Sequence, residues 1–340
     1  MAALLLPGLL TTATAAGPSF LYVGDWGGAD DEQPTTSSQI ASAGGMARVA
    51  SQINASAVLM LGDNFYSHGV ESVDSRRFEE TFEDVYPSGA FGNLPFHVVA
   101  GNHDHLGTVQ AQIDYSQKDT RWSFPSLYYN LHFSWQASGG EARSGQIVMI
   151  DTSGLSGIDA DRCLGDTCRL RGVVNVTAAA EQWAWIEDQL SRSTADFLYV
   201  AGHFPMYSAG DDGTNMDMVD KLLPMLSKYQ AHYLCGHDHL GQHIHVDGVH
   251  QFQNGMGREC CYGLSREHTV PDGAIQYVIS GHEASGKHIG PRPPTVVGGF
   301  NSIAFGDDSV TVQYHREDGE VIYSPDPLPR RQRSGIGIVV

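Results

Sequence analysis

Five short apolar runs in this chain each stop at a glycine followed at once by a metal-capable polar residue. Residues 20–23 lead into Gly24-Asp25, 57–61 into Gly62-Asp63, 97–100 into Gly101-Asn102, 197–201 into Gly202-His203, and 233–235 into Gly236-His237. Runs of this length, rich in Val, Leu and Tyr, predict buried strands of an α/β domain. In such sheets ligands bind outside the carboxyl ends of the strands, where glycine permits a tight turn and close approach. Asp, Asn and His repeated at five such ends predict a metal site at a sheet edge.

Between the runs the spacing turns helical. A helix is predicted over 38–52 with Ile40, Met46, Val49 and Ile53 on one side, and a charged one over 74–86 with Phe78, Phe82 and Val85 apolar. Others are expected over 107–117, over 178–191 with Thr177 as N-cap and Trp183, Ile186 and Leu190 buried, and over 217–228. Residues 127–135 and 146–151 suit strands. From His243 onward the chain changes to short strands with hairpin signals at Asp247-Gly248 and Asp318-Gly319, a β-meander. The sum is an α/β fold of two mixed β-sheets packed as a sandwich flanked by helices. A single domain is expected over 17–327, with 328–340 a mobile tail.

An apolar fraction of 41% is ample for a core, and no Pro/Gly/Ser tract divides the 340 residues. The net charge of −19 argues against nucleic-acid partners, and a phosphate-bearing substrate would need local cations to reverse the field. Residues 1–16 read as a signal peptide, an apolar run followed by the small residues Ala13-Thr14-Ala15, and no other segment is long and apolar enough to span a membrane. Glycosylation sequons at Asn54 and Asn175 agree with secretion. Of the five cysteines, Cys163 and Cys168 could bridge a local loop, and Cys235 falls within a buried strand. Adjacent Cys260 and Cys261 either pair with each other or reach that loop.

Asp63 and Tyr66 lie three apart in one turn. A phenol has a free pKa of about 10, yet a strongly charged hard cation deprotonates it, so Asp plus Tyr hints at ferric iron. His237 and His239 are alternate residues whose side chains diverge, suited to two neighbouring ions about 3.5–4 Å apart. Singly, each piece is ordinary: Gly-Asp is a common turn, Tyr66 a packing residue, His203 a core histidine, Gly101–Asp104 a capped polar loop. Five in register at strand ends are not ordinary.

Gly24-Asp25-Trp26-Gly27-Gly28, Gly62-Asp63-Asn64-Phe65-Tyr66, Gly101-Asn102-His103-Asp104, Gly202-His203 and Gly236-His237-Asp238-His239 resemble the signature blocks of purple acid phosphatases, in particular the small tartrate-resistant type 5 form. These belong to the calcineurin-like metallophosphoesterases, whose four-layer αββα fold the resemblance implies. The stretches 77–86 and 121–126 also resemble that subfamily, and the likeness runs from about Phe20 to Ser324, weaker after Asn254. It implies that Asp25, Asp63, Tyr66 and His239 hold Fe(III), and that Asp63, Asn102, His203 and His237 hold a divalent Fe, Zn or Mn ion. Three ligand charges against five on the ions would leave a positive surplus for phosphate. The implied activity is acid hydrolysis of phosphate monoesters, small esters or phosphoproteins. The dinuclear centre would activate a hydroxide for in-line attack, His103 would assist the leaving group, and Asp104 would orient it. A monomer is expected, secreted or in a lysosome- or vacuole-like compartment.

The type 5 pattern carries a further histidine some nine residues after the one matching His203; here the stretch reads Tyr207-Ser208-Ala209-Gly210-Asp211-Asp212-Gly213. Asp211 or Asp212 could stand in for it, or the segment is an ordinary acidic turn. His68 and His105 lie beside the motifs as substrate-contact candidates, whereas His243, His245, His250 and His288 read as decoration of strands and turns. The alternatives are a phosphodiesterase or nucleotide pyrophosphatase on the same scaffold, and a non-hydrolytic iron or redox protein.

Overall fold

The computed structural model describes residues 17–157, 173–279 and 297–332. The signal-peptide stretch 1–16, Cys163, Cys168, His288 and the tail residues 333–340 lie outside the described residues. Strands β1 (Ser19–Val23), β2 (Ala57–Leu61), β3 (Phe96–Val99) and β4 (Trp122–Ser123) come first. Next are β5 (Tyr129–Gln136), β6 (Ala142–Met149), β7 (Phe197–Ala201), β8 (His232–Cys235), β9 (Gly241–Val246), β10 (Val249–Asn254) and β11 (Ile275–Ile279). The chain closes with β12 (Gly299–Phe305), β13 (Ser309–Arg316), β14 (Val321–Tyr323) and β15 (Leu328–Pro329).

They form two mixed sheets. One runs β14-β13-β12-β1-β2-β3-β4 with β15 on β13, and the other runs β11-β9-β10-β8-β7-β6-β5. The five apolar runs are therefore strands as expected, but they divide: β1, β2 and β3 are parallel neighbours in the first sheet, β7 and β8 in the second. The fully buried faces of these strands explain their unbroken apolar sequence. The late strands also divide. The Asp247-Gly248 turn, with both residues at positive φ, joins β9 to β10 in the second sheet, while β12 crosses to pair antiparallel with β1.

Helices lie on the outer faces. Ser37–Gln52 opens on a capping box between Thr36 and Gln39. Its buried side carries Gln39, Met46 and Val49, but Ile40 is exposed, because the Gln39 amide turns inward to donate to the Thr81 carbonyl. The helix expected over 74–86 shrinks to a π-helical turn, Phe78–Glu83, since the buried Arg77 side chain is drawn into the loops. It donates to the carbonyls of Tyr66 (2.6 Å) and Gly27 (2.7 Å) and to Thr81 Oγ1 (2.8 Å), stapling the segments after β1 and β2 together. Trp26, Phe65, Phe78, Phe82 and Trp122 pack edge-on or stacked beneath them.

Helix Val176–Arg192 is capped by Asn175, not Thr177; the Asn175 side chain accepts from the Ala178 amide at 3.0 Å. Trp183, Ile186 and Leu190 are buried along it, and Met216–Tyr229 follows β7 as expected. The tail begins anchored: β15 pairs with β13, and the Arg331 amide donates to the Asp196 carbonyl at 2.8 Å. Cys260 and Cys261 are disulfide-bonded to each other, and Cys235 is a buried free thiol.

Candidate metal centre

The carboxyl ends of β1, β2, β3, β7 and β8 meet at the junction of the two sheets, so the site straddles both rather than lying along one edge. The first sheet supplies Asp25, Asp63, Tyr66, Asn102 and His103; the second supplies His203, His237 and His239. Asp25, Asp63 and His237 hold positive φ (58°, 52° and 78°), a conformation rare for residues with a side chain and found where surrounding contacts over-determine it. Gly62 has φ +90°, and a Cβ there would come within 2.6 Å of His203 Nδ1, so only glycine admits the imidazole. Gly236 is needed for the same reason: a Cβ would press on Asp25 Oδ2 at 2.7 Å.

The ligand-type atoms converge. Tyr66 Oη donates to Asp25 Oδ1 at 2.9 Å and lies 3.0 Å from His239 Nε2. Asp25 Oδ2 accepts the His237 amide at 2.7 Å. His203 Nε2 is 3.0 Å from Asn102 Oδ1, 3.4 Å from Asp63 Oδ1 and 4.0 Å from Asp25 Oδ1. Among the described residues, Asp25, Asp63 and His203 form the one carboxylate–imidazole group tight enough to share an ion.

The remote nitrogens are fixed as metal-binding histidines require. His203 Nδ1 donates to the Leu61 carbonyl at 2.8 Å, and His239 Nδ1 pairs with Glu259 Oε1 at 2.9 Å. Both Nε2 atoms are thereby aimed inward.

The electrostatics state what this cluster lacks. Burial disfavours charge on His203, but Asp63 and Asp25 outweigh it and push its pKa up to about 10. Burial likewise opposes His239, yet Asp25 and Glu259 raise it to about 9. Burial alone would raise Asp63, but His203 and His103 hold it well below the usual carboxylate range. Burial and the Asp25 and Asp63 charges drive the Tyr66 phenol well above its ordinary value. Two buried carboxylates thus recruit protons onto imidazoles, the work a cation would do instead.

The donor set fits such cations. Carboxylate and phenol oxygens gather around Asp25 and Tyr66, amide oxygen and imidazoles around Asn102 and His203, and Asp63 lies between. His237, pushed well below its usual pKa by burial and then by His203, is neutral and ready to ligate.

His103 packs tilted against the Tyr66 ring at 4.5 Å, donates Nδ1–H to the Ser67 carbonyl at 2.7 Å and holds Nε2 3.9 Å from Asp63 Oδ2. The expectation that Asp104 orients this imidazole is corrected: Ser67 does so. The Asp104 carboxylate instead accepts the Gly101, Asn64 and Phe65 amides and Gln112 Nε2, tying the loop after β3 to that after β2. His105 is bound to Asp151 at 2.9 Å, and His68 Nδ1 lies 2.8 Å from Ser67 Oγ; neither lines the central cavity. Of the two acids after His203, Asp211 braces Gly263 and Ser265, while Asp212 enters the cavity with Oδ2 4.0 Å from His237 Nε2.

A cavity of about 340 Å³ opens over the cluster, lined in addition by Arg258, Glu259 and Tyr262. These three escaped sequence reading. The one signal was a further strand-to-glycine junction, Asn254-Gly255, hidden because the alternating Gln251-Phe252-Gln253 lacks an apolar run.

A family model, calcineurin-like phosphoesterase, matches residues 18–241. Tartrate-resistant acid phosphatase type 5 of Homo sapiens is 36% identical over 333 residues, 97% of this chain and 96% of that protein. The Sus scrofa protein of the same name is 37% identical over 341 residues, 98% and 95% respectively. Among solved structures, GAP50, the anchor in the inner membrane complex of Plasmodium, superposes with a TM-score of 0.76 at 22% identity, covering 94% of this chain and 90% of that one; this likeness concerns the fold alone.

Proposed function

Since the chain belongs to the calcineurin-like phosphoesterase family, we propose that it is an acid phosphatase hydrolysing phosphate monoesters at a dinuclear Fe(III)–divalent centre. The observation that carries this reading is the convergence of oxygen and imidazole donors from both sheets, with His203 and His239 each locked by a fixed partner on the far nitrogen. Asp25, Asp63, Tyr66 and His239 would hold the ferric ion; Asp63, Asn102, His203 and His237 would hold the divalent Fe, Zn or Mn. When bound, the ions supply Lewis-acid polarisation of phosphoryl oxygens and lower the pKa of water.

The protein's own groups do the rest. Glu259 and the Leu61 carbonyl keep the His239 and His203 rings in register. The Ser67 carbonyl fixes His103 with Nε2 toward the cavity, where the imidazolium donates its proton to the departing alkoxide.

Asn54 and Asn175 are both exposed, which supports glycosylation of a secreted or lysosome- or vacuole-type protein. No helix among the described residues is long and apolar enough to cross a membrane.

The test is hydrolysis of a chromogenic phosphomonoester and its bis-ester by metal-loaded protein across roughly pH 4 to pH 8, with tartrate present. Monoester turnover peaking in acid and indifferent to tartrate is expected. No turnover from protein that carries two metals per chain would overturn the reading.

A further inference from the structure

Arg258 follows β10 and reaches the cavity through a backbone pinned on both sides. Its amide donates to the Asp25 carbonyl at 2.6 Å, and its carbonyl accepts Thr36 Oγ1 at 2.5 Å. The neighbouring Gly257 amide donates to the Gly24 carbonyl at 3.2 Å. The residue is thus tied directly to the turn that carries Asp25. Its guanidinium lies over the Tyr66 ring, with Cζ 4.2 Å from the ring centroid, and lines the same cavity as Asp63, His103, Asp212 and His237.

This cation is poorly served by its surroundings. Its side chain is only 18% exposed, and buried Nε has no hydrogen-bond partner. The nearest carboxylate oxygen, Glu259 Oε1, is 3.6 Å from Nε and is already engaged by His239 Nδ1 at 2.9 Å. Among the described residues no hydrogen bond to the guanidinium is made. A buried guanidinium donor left without a partner beside such a cavity is a costly arrangement for a purely structural arginine. It is the arrangement required to receive an oxyanion.

Resting on the phosphatase reading above, we propose that Arg258 is a substrate-binding residue that holds a non-bridging oxygen of the ester's phosphoryl group. Tyr66 serves as the platform that orients the guanidinium, and Glu259 limits its swing. The Asp212 carboxylate in the same cavity would repel a dianionic phosphate, and Arg258 offsets that repulsion. The site would therefore favour the phosphoryl group over a neutral or cationic portion of the ester on the Arg258 side.

The experiment is a calorimetric titration of the metal-loaded wild-type protein and R258Q with inorganic phosphate, with metal content and monoester kinetics measured on the same samples. Loss of a charge-assisted pair is expected to weaken phosphate binding about 10- to 100-fold, chiefly as a rise in KM, with metal content unchanged. Binding by R258Q within about two-fold of wild type, below the loss expected for such a pair, would overturn the proposal and leave Arg258 as a cap on the Tyr66 ring.

A second measurement needs no variant. Phenylglyoxal modification of Arg258 in the wild-type protein, followed by peptide mapping, should be suppressed by inorganic phosphate and not by chloride. Modification unaffected by saturating phosphate would likewise overturn the proposal. Wild-type turnover of the monoester judges the phosphatase reading by itself. A protein that turns over monoester while R258Q retains full phosphate affinity loses only the Arg258 assignment.

Discussion

Two sets of histidines come from the same stretch of chain and behave in opposite ways. His203 and His239 follow the carboxyl ends of β7 and β8 and face the Asp25 and Asp63 carboxylates. His232, His243, His245 and His250 lie on β8, β9 and β10 of the same sheet and face one another. His243 Nε2 is 2.8 Å from His250 Nδ1, His245 stacks on His250 at 4.1 Å, and the His250 amide donates to His232 Nδ1 at 3.2 Å. The first set is short of positive charge, so His203 and His239 are raised to about 10 and about 9. In the second, burial and then neighbouring imidazoles lower His232 and His243 to about 3 and His250 to about 4. Burial is shared; the partners differ. An imidazole's role here follows from what faces it, not from its being buried.

The largest expected effect comes from removing the charge that distinguishes the first set. D63N should abolish retention of metal and with it turnover, because Asp63 is the one carboxylate between both donor groups. Elemental analysis and loss of visible absorption read this directly, and a D63N protein retaining two metals would break the comparison. A graded step is E259Q, which leaves every ligand in place but loosens His239. A loss of about 10- to 100-fold in metal affinity is expected, measured by competition with a chelator.

The smallest effect sharpens the other side. The folded pKa values of His232, His243 and His250 lie below the imidazole's usual 6.5, so the unfolded chain binds more protons as pH falls from 6.5 toward 4. Stability contributed by the neutral cluster is therefore present above that window and is lost on acidification through it. H250Q removes one such site while keeping a polar partner for His243. It should flatten the fall in denaturation free energy by at most about 1.4 kcal/mol per pH unit within the window, the worth of one proton. Parallel curves for wild type and H250Q would show that the cluster does not titrate on unfolding.

Much of the site was legible in the sequence because its chemistry is local. A strand in the sheet interior must be apolar throughout, a glycine must follow where an imidazole or carboxylate crowds the backbone, and a metal-capable polar residue comes next. Asp25, Asp63, Asn102, His203 and His237 could be read in that order for that reason. Helix caps were less legible: Asn175 and Thr177 both suit the role, and backbone geometry chose the former.

What the sequence could not determine are relations between segments far apart in the chain. Which sheet each strand joins is decided by packing, so β12 lies against β1 although nearly the whole chain separates them. The partner of His103 proved to be a backbone carbonyl, Ser67, an acceptor every residue carries and no motif records. Arg258 and Glu259 carry no spacing signature of their own, because they reach the cavity only through the hydrogen bonds that tie β10's end to the turn after β1. Local sequence determined which chemistry stands at each strand end; long-range packing alone decided how those ends face each other, since contact energies between distant segments leave no periodic trace along the chain.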